Sequence, residues 1–61
     1  QSFYVEAVLV VCEDETEIEY YDLRAVCVSG DIYDISRHED RADAEGYMLQ
    51  IIGKLGGSHG N

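Results

Sequence analysis

The side chains that could do chemistry are few, and most of them are acids. Thirteen Asp and Glu stand against four Lys and Arg, for a net charge of −9 and a pI near 4.2. Six acids fall between Glu13 and Asp22, and four more at Glu39, Asp40, Asp43 and Glu45. Carboxylates at Glu13, Asp14, Glu15, Glu17 and Glu19 are hard oxygen donors of the kind calcium takes. They lack the Asp-x-Asp-x-Asp-Gly spacing and its turn glycine, so no metal site and no cofactor is expected. His38 reads as a solvent-facing residue at a helix start, and His59 belongs to the tail. Cys12 and Cys27 have neither Cys-x-x-Cys spacing nor a neighbouring histidine. No Ser-His-Asp order, phosphate loop or His-Glu-x-x-His is present. No catalytic residue is assigned, and an enzyme is not expected.

The acids suggest recognition instead. Along an extended strand Glu15, Glu17 and Glu19 project to one side at a spacing of ~6.6–6.8 Å. A row of anions on a rigid edge imitates a phosphate backbone and fits a groove lined with Lys and Arg. Tyr20 and Tyr21, beside the acids, have the character of interface anchors. The expected partner-binding set is Glu13, Asp14, Glu15, Glu17, Glu19, Tyr20, Tyr21 and Asp22. A chain this acidic repels nucleic acid and anionic membrane, so neither is a direct partner; a basic protein surface is. The competing explanations are a solvated face that keeps an apolar sheet soluble, and adaptation to a high-salt host.

The elements that must position these residues begin with Phe3 to Cys12. Nine of its ten residues are apolar, Val-rich and aromatic, which predicts a strand buried on both faces. Glu13 to Thr16 reads as a polar turn. Glu17 to Val28 follows as a second strand, with a bulge expected near Tyr21-Asp22, where the inward parity changes. Ser29-Gly30-Asp31 predicts a tight turn and Ile32 to Ile35 a short third strand. Ser36 then reads as a helix N-cap, with Glu39 completing a capping box. Ala44, Tyr47, Met48, Ile51, Ile52 and Leu55 make an apolar stripe along a helix from Arg37 to Leu55. The fold class is α+β: a three-stranded antiparallel meander followed by one C-terminal amphipathic helix, β-β-β-α. Residues 1–57 form a single small domain and 58–61 a flexible tail.

If Asp14 and Glu15 form the hairpin tip, Cys12 lies opposite Glu17 and Cys27 opposite Ser2, too far apart for a disulfide. Two buried free thiols point to a reducing compartment, the cytoplasm of the producing cell or of an infected host. One helix covers only one face of the sheet. The other leaves Tyr4, Val8 and Val10 uncovered, joined by Val26 and Val28, and marks a homodimer interface.

The order Tyr4-Val5-Glu6, an apolar run, Glu13-Asp14-Glu15, then Glu19-Tyr20-Tyr21 resembles the hairpin of small acidic phage-encoded inhibitors. These include the DNA-mimicking inhibitors of uracil-DNA glycosylase and several anti-CRISPR proteins. The resemblance covers the first third of the chain; the third strand and long helix depart from the glycosylase inhibitors. It implies a non-enzymatic acidic inhibitor, commonly dimeric, that occupies the DNA channel of a nucleic-acid enzyme. The alternative is a small structural or assembly protein that acts through an apolar sheet face, its acids only solubilising.

Overall fold

The structure, a computed structural model, describes residues 2–57, so the tail expected at 58–61, with His59, lies outside the described residues. Three strands and a helix follow in chain order: β1 (Ser2–Val11), β2 (Glu17–Val26), β3 (Ile32–His38) and α1 (Arg41–Gly57). The sheet is an antiparallel meander in the order β1-β2-β3, and the architecture is the expected β-β-β-α.

Both hairpins are closed by the same three-residue loop. Glu15 N–H donates to the Cys12 carbonyl (2.9 Å) and Cys12 N–H to the Thr16 carbonyl (2.8 Å). Gly30 N–H donates to the Cys27 carbonyl and Cys27 N–H to the Asp31 carbonyl, both at 2.9 Å. Each loop is a turn followed by one left-handed residue, Glu15 (φ 69°) in the first and Gly30 (φ 94°) in the second. The third loop residue shifts the register by one from that expected. Val11, not Cys12, lies opposite Glu17, and Ser2 pairs with Val26. Cys12 and Cys27 are free, sit at opposite ends of β2, and are half-buried rather than buried.

The irregularity in the sheet also lies elsewhere than expected. The β1–β2 ladder is unbroken from Ser2↔Val26 to Val11↔Glu17. The shift falls between β2 and β3, where Leu23 pairs with Ser36 and Arg24 with Asp34, leaving Ile35 as the extra residue.

Ser36 is not a helix cap. It is a β3 residue paired with Leu23, and its Oγ lies 2.7 Å from His38 Nε2. Strand pairing through His38 outcompetes the local capping box. The helix starts four residues later than expected: Asp40 accepts the first helical bond, from Ala44 N–H at 3.1 Å, and Asp43 sits in the first turn.

The helix lies over the half of the sheet where three strands run side by side. Arg41 stacks on Tyr21, Tyr47 meets His38 (ring centroids 5.7 Å apart), and Ile52 and Leu55 flank Phe3. Its inward residues are Ala44, which is buried, and Met48 and Ile51, which are half-buried. Tyr47, Ile52 and Leu55, expected in the same stripe, are exposed at its margins, and Leu49 is exposed as well. Only Leu23, Ala25 and Ala44 are fully buried apolar residues among those described. The molecule measures 52 × 26 × 10 Å, a thin slab with little interior. A domain this size sits near the limit for folding alone, and so small a core leaves apolar surface for another chain to cover.

Candidate functional site: an acidic hairpin arm

β3 pairs only with residues 21–26 of β2, and the helix begins at Arg41, whose guanidinium lies over Tyr21. From Val8 through Tyr20 the first hairpin therefore projects as a two-stranded arm. An isolated two-stranded ribbon is marginal in water, so the arm depends on the three-stranded base it extends from.

The arm carries acids and apolar residues and no base. Glu13, Asp14 and Glu15 form the tip. The Asp14 carboxylate accepts from Thr16 Oγ1 (2.6 Å) and Thr16 N–H (3.1 Å), and these bonds lower its pKa. Behind the tip, Glu17 lies opposite Val11 and Glu19 opposite Leu9, on the face that the helix covers farther along. Leu9 is 57 % and Val11 62 % exposed, so an apolar strip on β1 runs beside an acidic strip on β2. The opposite face of the arm carries Val8 and Val10 beside Tyr20 and Ile18.

The expected partner-binding residues thus divide. Glu13, Asp14, Glu15, Glu17 and Glu19 share the arm and are exposed. Tyr21, at the arm's base, donates a short hydrogen bond to Glu19, which raises the tyrosine pKa, and lies under the Arg41 guanidinium. Tyr20 faces the other way, with the Arg37 guanidinium 5.0 Å from its ring centre. Both rings are therefore engaged by arginines of their own chain. Asp22 is a correction. By strand alternation it lies on the face opposite Glu17 and Glu19, and it is only 3 % exposed. It presents no charge to a partner.

Around Asp22 lies an ionic network that sequence reasoning missed. Arg37 grips it with two prongs, Nε–Oδ1 at 2.7 Å and Nη2–Oδ2 at 2.9 Å, and this pairing lowers the Asp22 pKa. Arg24 Nη1 reaches Glu6 Oε2 at 2.6 Å, and Nη2 reaches Asp22 Oδ2 at 3.5 Å. Arg24 Nε lies 2.9 Å from Asp34 Oδ1 but off the hydrogen-bonding direction, so that contact is ionic only. Burial opposes the ionised form of Asp22, but the Arg37 hydrogen bonds outweigh it, so the net shift is downward. The available signal was parity: Glu6, Asp22 and Arg24 fall on one face, and the bulge at Ile35 brings Asp34 and Arg37 to it.

The network shares the face expected to carry the dimer interface. Tyr4, Val8 and Val10 do lie on the sheet face away from the helix, half-buried, with Val26. The middle of that face is occupied by Glu6, Asp22, Arg24 and Arg37 rather than apolar residues. Val28 belongs to the second loop and not to the face.

An open cleft of about 380 Å³ beside the helix start is lined by His38, Asp43 and Tyr47 among others. A second, of about 530 Å³ at the other end, is lined by Ser2, Phe3, Ile52, Leu55 and Gly56. Among the described residues no three His, Cys, Asp or Glu gather as metal ligands, and no helix is long and apolar enough to cross a membrane. No protein-family model, curated protein or solved structure matches the chain.

Proposed function

We propose that the protein is a non-enzymatic acidic binding module that docks its hairpin arm on a basic, nucleic-acid-binding protein surface as a DNA mimic. The observation that carries this reading is the segregation of charge. Glu13, Asp14, Glu15, Glu17 and Glu19 stand on a projecting arm without a base, while Arg24 and Arg37 are bound to acids in the sheet. Glu15 adds to it. The twin loop places glycine at the left-handed position, whereas here a glutamate holds φ 69° at a cost of about 1 kcal/mol. Local strain of this kind clusters where a side chain is needed. The test is capture from a bacterial lysate in low salt on the tagged protein, followed by elution with duplex DNA. Release of a basic nucleic-acid enzyme by DNA supports the reading; a bound set that DNA leaves in place refutes it.

A second reading is favoured by the exposed Leu9, Val11 and Ile18. In it the protein is an assembly element that works through apolar surface, including Tyr4, Val8 and Val10. It requires partner binding that withstands high salt and fails in Val8→Asp.

A further inference from the structure

We propose that β1 is a homodimerisation edge, on which a second copy pairs antiparallel about a two-fold axis passing beside Ala7, making one six-stranded sheet. This is independent of the docking reading above.

The three edges of the sheet are not guarded alike. β3 carries Asp34, Arg37 and a bulge, which are devices that stop strands from adding. The arm's side of β2 carries Glu17 and Glu19. β1 offers ten residues without proline, glycine or bulge, and its one charge, Glu6, is held by Arg24 at 2.6 Å. Cys12 N–H pairs with Thr16, so the even-numbered residues of β1 turn their backbone groups toward β2. Phe3, Val5, Ala7, Leu9 and Val11 turn theirs to the open edge.

Symmetry then limits the register. A two-fold perpendicular to the sheet keeps each residue on its own face, so odd residues pair with odd ones. An axis beside Glu6 would set Glu6 against its own copy, a like-charge pair. An axis beside Ala7 sets Phe3 against Val11 and Val5 against Leu9 of the second copy, with Tyr4 against Val10 on the other face. These are aromatic and branched pairs of the kind that stabilise sheets, and roughly ten backbone hydrogen bonds close the edge. The exposed Leu9 and Val11 come to rest beside Phe3 and the cleft it shares with Ile52 and Leu55.

Charge allows the pairing despite a net −9 per chain. Antiparallel arms place the two acidic tips ~45 Å apart, far beyond the ~8 Å screening length at physiological salt. Each arm comes alongside an end of the second copy that is poor in acids: residues 2–5 and 46–57 contain none, and Lys54 is there.

The experiment is sedimentation equilibrium of the full chain and of Ala7→Lys, with circular dichroism to confirm that the variant folds. The chain is expected to sediment at twice its 6.8 kDa mass, with Ala7→Lys at least tenfold weaker in association and unchanged in sheet signal. In a Cys12→Ser, Cys27→Ser background, Ala7→Cys is expected to form an interchain disulfide on mild oxidation and Glu6→Cys is not. A monomer at ~100 μM, a dimer that Ala7→Lys leaves unchanged, or cross-linking through Glu6→Cys in place of Ala7→Cys would overturn the proposal; the concentration is set well above a micromolar dissociation constant.

Discussion

Arg37 on β3 holds Asp22 on β2 by two parallel hydrogen bonds, at 2.7 and 2.9 Å, across directly paired backbone positions. The planar guanidinium matches the carboxylate, and the pair ties β3 to β2 on the sheet face away from the helix. It also divides the acids: of the six in the Glu13–Asp22 run, Asp22 is buried in the sheet and the other five are exposed.

Asp22→Asn is expected to cost about 1–2 kcal/mol at pH 7, because Arg37 and Arg24 lose their shared anion. The Asp22 pKa is depressed in the folded state, so the unfolded chain binds the proton more readily. The contribution is therefore complete above the unfolded value of ~3.9 and fades as pH falls through the folded one. Urea melts of both forms should differ by a constant amount from pH 5 to 7 and converge in stronger acid. A gap that widens in acid would contradict the assignment.

The two left-handed loop residues make opposite predictions. Glu15→Gly should raise stability by about 1 kcal/mol by relieving positive φ, a gain of ~4–8 °C in Tm for a domain of this size. Gly30→Ala should lower it by a similar amount, though nothing stands within 4 Å of the added Cβ. Thermal melts decide both.

Gly46 and Gly53 sit inside α1, where a Cβ would meet nothing within 4 Å. Each Gly→Ala change is expected to add about 0.5–1 kcal/mol through helix propensity and a less flexible unfolded chain. Denaturation midpoints should rise additively, since the two positions lie two turns apart on the helix. A fall at either site would mean that the helix face is packed against something.

Tyr21 should be a late-titrating tyrosine. Its bond to Glu19 raises its pKa, so the linkage holds below the ordinary tyrosine value of ~10 and is lost as pH rises through the folded one. Ultraviolet titration of wild type against Glu19→Gln should move one tyrosine to lower pH. An unchanged curve would place Tyr21 elsewhere.

The legible part of the fold was what depends on composition and period. The Val-rich run of β1, the alternation in β2 and the apolar spacing through Ala44, Met48 and Ile51 gave element type and order. What was not legible depended on competition between local and cross-strand bonds. Ser36-x-x-Glu39 is a good capping box in isolation, but Ser36, Arg37 and His38 gain more by pairing with Leu23, Asp22 and Tyr21. The hairpin register escaped because a glutamate at a left-handed loop position is an unusual choice. Asp22 was misgrouped because neighbours in sequence alternate faces on a strand, so adjacency to Glu19 and Tyr21 said nothing about shared exposure. The arm itself needed one further comparison, the short span of β3 against the length of β2.

The most direct test of the central reading is the affinity of Glu15→Lys/Glu17→Lys/Glu19→Lys for the DNA-displaced basic enzyme, measured beside wild type across a salt series. The docking account predicts about a hundredfold weaker binding and a flattened salt dependence, with the fold intact by circular dichroism. Equal affinity of the folded variant at every salt concentration would contradict it.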